Sequence, residues 1–221
     1  MSFRHPKSDV LSRARTVEDK EQVRQAFIAA GRKLFAREPA SNVSLRKIAA
    51  EAGYAPAAIY QYFADQQELF FHVRAHEMQA ATEQLRKSIA RTRDPARRVQ
   101  KLFEGAAAYW LDHMEEFLLT FPAPTARRAA PAPGGIPFGQ SPVVQDALRL
   151  HYETVDAYFK TLPEPPIPSR LATDILMAAV YGSIVFPNMA RTMDWSDVKT
   201  MLKQLVATLL KGWEHAGREK G

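Results

Sequence analysis

The chain of 221 residues contains no cysteine. Disulfide frameworks, zinc ribbons, iron–sulfur clusters and thiol catalysis are therefore excluded. No apolar run approaches the ~18 residues of a membrane-spanning helix. The opening MSFRHPKSDVLSRARTVEDKE is polar, without the apolar core of a secretory signal. Both absences lead to the expectation of a cytoplasmic protein. Catalytic signatures are missing too: there is no GxGxxG, GxxxxGK(S/T), HExxH or GxSxG. The stretch PGGIPFGQS has glycines but lacks the Lys-Ser/Thr pair of a phosphate loop, so it reads as a plain loop. The scattered Asp and Glu form no convincing acid/base pair. No enzyme, and no cofactor, is expected. Strand patterns are absent, which leaves an all-α fold without internal repeats.

Acidic charge is scarce at one end. Residues 1–63 hold 11 Lys and Arg against 6 Asp and Glu, a net of +5, within +6 for the whole chain. Basic excess concentrated in one segment is an electrostatic footprint for a polyanion, although solubility alone would also account for it.

The apolar pattern predicts roughly nine helices. Residues 1–16 read as a flexible basic arm carrying Arg4, Lys7, Arg13 and Arg15. Val23, Phe27, Ala30 and Leu34 then form one stripe of a helix that starts at Val17 and stops at Pro39. Ser44 is a natural N-cap for a short helix whose inward face is Leu45, Ile48 and Ala49. Gly53 supplies a left-handed turn. Pro56 suits the first turn of a third short helix because it needs no N–H partner. Helices follow over about 66–91, 95–113, 114–122, 143–162, 169–190 and 196–216. Residues 122–142 hold six of the fifteen prolines and three glycines, and read as an irregular loop.

Helix, glycine turn, helix is the helix-turn-helix pattern. In GYAPAAIYQYF, Ile59 and Phe63 are four apart and point inward together. Pro56, Ala57, Tyr60 and Gln61 then face outward, with Tyr62 toward the rim. Small residues at the start of such a helix let its backbone enter a major groove. Tyrosine hydroxyls can donate to phosphate oxygens, and Gln61 can pair with adenine or contact the backbone.

The stretch SLRKIAAEAGYAPAAIYQYFADQQELF, 44–70, resembles the DNA-binding signature of the TetR family of bacterial transcriptional regulators. Ile48-Ala49, Ala52-Gly53, Ile59-Tyr60, Tyr62-Phe63 and Leu69 carry the likeness. Phe27 and Leu34-Phe35 match that family's first helix. The resemblance covers about 17–75. It implies a DNA surface made of Ser44, Arg46 and Lys47 on the second helix, and of Tyr54, Ala55, Pro56, Ala57, Ala58, Tyr60, Gln61 and Tyr62 beyond the turn. Tyr54 serves packing or contact with equal justification. Two positions depart from the pattern: Ala55 stands where a capping Ser or Thr is usual, and Asp65 and Gln66 stand where a phosphate-contacting Lys is usual.

By the same resemblance, the organisation is a DNA-binding domain over 17–65 and an effector-binding and dimerisation domain over 66–221. Segments 106–121 and 178–186 resemble the C-terminal helices of a WHG-type subgroup, with Met114 and Tyr181 replacing a Pro and a His. The expected effector cavity draws on Phe103, Tyr109, Trp110, His113, Met114 and Phe117, and on Phe121, Tyr152, Phe159, Met177 and Tyr181. Its apolar balance points to an apolar or aromatic effector. For any one of these residues, core packing is the simpler reading. The homodimer is expected through the last two helices: Ala178 and Gly182 on one, and Val198, Met201, Leu202, Leu205, Leu209 and Trp213 on the other. A twofold protein reads a pseudo-palindromic operator with half-sites about 34 Å apart. Ligand binding would tilt the helix that follows Phe63 and spoil that spacing; repression is the family's usual output. Two rival readings remain: a metal-responsive regulator using His72 and His76, spaced i, i+4, with Glu77, His113 or His151 completing the site, and a helical ligand-binding protein with weakened DNA affinity.

Overall fold

The computed structural model describes residues 16–39, 42–121 and 136–216. The expected basic arm, and most of the Pro-rich loop, lie outside the described residues. The chain divides into two compact units, one ending at Val73 and the other starting at Arg74. Among the described residues eight α-helices form: α1 Val17–Arg37, α2 Leu45–Glu51, α3 Gln66–Ile89, α4 Pro95–Asp112, α5 Met114–Thr120, α6 Pro142–Phe159, α7 Ser169–Met189 and α8 Val198–Ala216. There is no strand among the described residues.

The first unit is built on α1, α2 and the start of α3. Thr16 caps α1 in a reciprocal box: its hydroxyl accepts from Asp19 N at 3.0 Å while its own N–H donates to the Asp19 carboxylate at 3.1 Å. The buried stripe of α1 is wider than the four residues of the periodic reading, because Ile28, Gly31 and Phe35 are buried beside Phe27, Ala30 and Leu34. A Cβ at Gly31 would lie 2.5 Å from the Leu69 side chain, so the absent side chain is what lets α1 and α3 approach. Leu45, Ile48, Ala49, Ile59, Phe63, Leu69 and Val73 close this small core.

In the second unit α4 is central and packs against α6, α7 and α8. Asp94 caps it, accepting from Arg97 N at 2.6 Å, and Pro95 opens it. Its inward residues Val99, Leu102, Phe103, Ala106 and Trp110 join Val155, Leu176, Val180, Leu202 and Val206 in one core. The irregular reading of 122–142 is too broad at its end. Phe138–Gln140 forms a 3-10 turn, and Pro142 starts α6. Phe138 lies under the buried Arg74 guanidinium, 3.7 Å from its centre, and Arg74 Nη2 donates to Thr120 O at 2.7 Å.

α7 carries apolar residues all round. Ala172, Leu176, Val180 and Ile184 face the core, while Leu171, Ile175, Val185 and Met189 are exposed. Contrary to the sequence expectation, this helix is long and apolar enough to cross a membrane by length and composition. Only 28% of its most apolar window is buried within the subunit.

Candidate functional site

The turn between α2 and the segment after it is fully specified by hydrogen bonds. Ser44 Oγ accepts from Lys47 N at 3.2 Å and starts α2. At the other end Gly53 adopts φ +79, Gly53 N donates to Ala50 O at 3.0 Å, and Tyr54 N donates to Ala49 O at 2.9 Å. These two bonds are the Schellman pattern. They fix where the chain leaves the helix, and so where Tyr54 stands.

Beyond the turn the structure departs from the expected third helix. Ala58 N donates to Ala55 O, Gln61 N to Ala58 O and Tyr62 N to Ile59 O, all spanning three residues. The result is a 3-10 turn over Ile59–Gln61 with no side-chain cap. Ala55 has no oxygen to cap a helix, and Pro56 has no N–H, so nothing anchors a full α-helical first turn. Ile59 and Phe63 are buried at 0% and 1% exposure and hold the segment to the core. Ala55, Pro56, Ala57, Tyr60 and Gln61 are exposed; Ala58 and Tyr62 are half-buried. Tyr54 is half-buried as well, and its ring sits 5.1 Å from that of Phe27, with Tyr62 5.5 Å from the same ring. Tyr62 has a pKa raised above the ordinary phenol value, first by burial and then by the neighbouring Tyr54.

Arg46 and Lys47 are exposed on α2. Lys47 Nζ reaches Glu38 Oε1 at 2.6 Å, so its charge is shared with an intramolecular carboxylate. Asp65 and Glu68, which stand in and near the place of the family's lysine, cap α3. Glu68 N donates to Asp65 Oδ1 at 2.8 Å, and Ala64 N donates to Glu68 Oε2 at 2.7 Å. The D-x-x-E spacing was the available signal for this cap.

The sequence reading also missed Arg24. Its guanidinium lies over the Phe63 ring at 5.3 Å and its Nη2 is 2.7 Å from His72 Nε2. Burial first, and Arg24 second, push the His72 pKa below its ordinary value. An imidazole engaged by a guanidinium is a poor metal ligand. Among the described residues no group of three or more His, Cys, Asp or Glu could hold a metal ion.

The eleven effector candidates fall in separate places. Trp110, Phe117, Phe121 and Tyr181 form one aromatic cluster, with centroids 5.7 Å apart for Trp110–Phe117 and 5.4 Å for Phe121–Tyr181. Tyr109 and His113 adjoin it, stacked at 4.2 Å. Phe103 is fully buried against His151, and Phe159 packs on Tyr158 and Trp213. Met114 and Met177 line the edge of the core. Tyr152 stands apart in a surface groove of about 560 Å³, donating to Asp174 Oδ1 at 2.6 Å beneath Arg170. His151 is 5% exposed on α6, and its Nε2 has no partner among the described residues.

The dimer candidates divide as well. Ala178 and Gly182 are exposed on the outer face of α7. Val198, Met201, Leu205 and Leu209 are half-buried. Leu202 and Trp213, at 1% and 8% exposure, turn into the subunit's own core and offer no surface to a partner.

Residues 27–73 match the sequence model described as "Bacterial regulatory proteins, tetR family". Over 51 residues the chain is 47% identical to an uncharacterized HTH-type transcriptional regulator of Haemophilus influenzae. That match covers 23% of this chain and spans about a quarter of the relative's length. Solved structures resemble it over most of its length. A TetR family regulator from Marinobacter aquaeolei aligns with a TM-score of 0.59 at 18% identity, covering 91% of this chain and 98% of that one. The transcriptional regulator FadR of Bacillus subtilis, in complex with stearoyl-CoA, aligns with a TM-score of 0.65 at 14% identity, covering 85% and 98%. At such identities the structures show a common fold. The WHG-type likeness of 106–121 and 178–186 lies outside the matched residues. The matched residues coincide with the helix-turn-helix, from Phe27 beneath the tyrosines to Val73 at the unit's end. Residues 27–73 therefore form a helix-turn-helix domain of the TetR family of bacterial regulatory proteins, carried on a chain whose fold resembles solved TetR-family regulators.

Proposed function

We propose that the chain is a homodimeric, ligand-responsive transcriptional regulator of the cytoplasm that represses from a pseudo-palindromic operator. The observation that carries this reading is the segment Tyr54–Tyr62. It is uncharged and exposed along one side, and pinned from beneath by Ile59 and Phe63. Small residues at Ala55, Pro56 and Ala57 allow close approach to a groove, Gln61 faces the bases, and Arg46, Lys47 and the tyrosines grip the flanking backbone.

Release requires an effector that favours the state with low DNA affinity. A ten- to hundredfold preference corresponds to about 1.4–2.8 kcal/mol of coupling. The aromatic cluster of Trp110, Phe117, Phe121 and Tyr181 supports an apolar or aromatic effector, since Phe121 is 37% exposed while Phe117 and Trp110 are buried behind it. FadR of Bacillus subtilis, which shares the fold, is in complex with stearoyl-CoA, a ligand whose acyl chain is apolar. The outer face of α7 supports the dimer.

The experiment is a gel shift of the purified protein against the duplex upstream of its own coding region, at low and moderate salt. Specific retardation that weakens with salt is expected. Absence of any retardation at low salt overturns the reading. Thermal shift with apolar aromatics then tests the effector class: a rise in Tm with loss of retardation is expected, and indifference in both readouts removes that class.

A further inference from the structure

We infer that Tyr54 and Tyr62 form a single site: two phenol hydroxyls, carried on one Phe27 ring, that together hold one phosphate of the DNA backbone. This rests on the DNA-binding reading and assigns to the two residues a shared target.

The geometry begins with the turn. The Tyr54 N–H bond to Ala49 O closes the Schellman motif, so the backbone at Tyr54 is held and its side chain has a fixed origin. Tyr62 is held from the other direction by its N–H bond to Ile59 O and by its buried neighbour Phe63. The two residues arrive from opposite ends of the segment and both pack on Phe27. Their rings tilt at 59° and 61° to the Phe27 ring, an edge-on packing that suits aromatic quadrupoles. Phe27 is itself 0% exposed, so the base beneath them cannot shift without opening the core.

The chemistry follows from the hydroxyls. Neither has a hydrogen-bond partner among the described residues, and neither ring is fully buried. Phenylalanine would pack the same rings on Phe27 with no hydroxyl to desolvate, so packing does not account for the oxygens. The raised pKa of Tyr62, caused by burial and then by Tyr54, keeps it a neutral O–H donor. Two neutral donors carried on one buried ring suit an anionic acceptor with several oxygens. A phosphate has them. Tyr60 is 54% exposed and stands apart from the Phe27 ring, so it serves a separate contact.

A neutral grip has a signature that a cationic one lacks. It displaces no condensed counterion of its own, so its removal lowers affinity without changing the salt slope, whereas loss of a Lys or Arg contact flattens the slope by about one. The test uses the full chain and a random-sequence duplex of about 30 base pairs, titrated between about 50 and 200 mM salt. Tyr54→Phe and Tyr62→Phe should each weaken binding about tenfold, as loss of a hydrogen bond to a charged group does. The slope should stay the same, and the double variant should lose clearly less than the product of the two. Tyr60→Phe should multiply independently with either. Losses that multiply in full for Tyr54 and Tyr62 would place them on separate phosphates and overturn the pair. Unchanged affinity in both variants would overturn it too, while leaving the DNA-binding reading intact. Failure of the unaltered protein to bind the duplex at low salt overturns both.

Discussion

Arg24 Nη2 lies 2.7 Å from His72 Nε2. A guanidinium can only donate, so the imidazole must accept, and it can do so only in its neutral form. Protonation of His72 would set two cations against each other beside the Phe63 ring. The charged groups that act on His72 are Arg24, which lowers its pKa, and Glu68 and Glu21, which oppose that weakly. Since the folded pKa is depressed, this contribution to stability is complete above the unfolded value of about 6.5 and is lost as pH falls through the lower folded value. Buried His151 titrates in the same direction, with burial as its main cause. Thermal melts should therefore show Tm falling between about pH 7 and pH 5. His72→Gln, which keeps an acceptor for Arg24 but cannot be protonated, should flatten part of that fall. An equal fall in the variant would remove His72 as its source.

Glu38 restrains Lys47 in the same unit. The pair is exposed, with side chains 44% and 31% accessible, so it adds little to stability. Its consequence lies in binding. A phosphate that takes Lys47 must first displace a carboxylate and then tolerate it nearby. Glu38→Gln should raise affinity for a random-sequence duplex several-fold at low salt and steepen the salt dependence by up to one unit. Stability should change by less than about 1 kcal/mol. Unaltered affinity would mean that Lys47 does not reach the DNA.

Gly53 has φ +79, and a Cβ placed there meets nothing within 4 Å. Substitution is therefore a test of backbone strain without a steric clash. Gly53→Ala should lower unfolding free energy by about 1–2 kcal/mol, the cost of a left-handed conformation for a residue with a side chain. Urea unfolding of the variant measures this directly. DNA affinity should also fall, because the same turn sets Tyr54 in place. A neutral result would show that the turn relaxes to another form at no cost.

Much of this unit is visible in the sequence because its signals are local. Ser44 as a cap, Gly53 as a left-handed turn, and Leu45, Ile48, Ala49, Ile59 and Phe63 as an inward face each depend on residues within a few positions. The 3-10 form of Ile59–Gln61 was less visible, although Ala55 and Pro56 hold its cause. Asp65 stands where the family pattern has a lysine, and its three-residue spacing to Glu68 is the local mark of a helix cap. In the second unit the signals are tertiary. Periodicity shows that α8 has an apolar stripe, but it cannot say which members face the subunit's own core. Leu202 and Trp213 belong to that core, and Tyr152 shares no neighbourhood with Trp110 or Tyr181, for reasons that only packing decides.

The distribution of apolar residues on α7 and α8 makes the dimer proposal specific. Leu171, Ile175, Val185 and Met189 are 47%, 36%, 37% and 76% exposed, and they recur on one side of α7 together with Ala178 and Gly182. An exposed apolar stripe of this length is characteristic of a face covered by a partner. Gly182 has open space at its Cβ position, so it leaves the stripe shallow where another helix would cross. A carboxylate placed in this stripe keeps part of its hydration in the isolated subunit but must be fully desolvated in a dimer. Ile175→Glu and Val185→Glu should therefore yield folded monomers in sedimentation at micromolar concentration, and weaken operator binding by removing the second half-site. Leu202→Ala should behave differently. Its side chain is 1% exposed, so its loss leaves a cavity and costs about 2–5 kcal/mol of subunit stability without selectively dissociating the dimer. If Ile175→Glu remains a dimer while Leu202→Ala dissociates, the partner lies on α8 and the outer face of α7 needs another occupant.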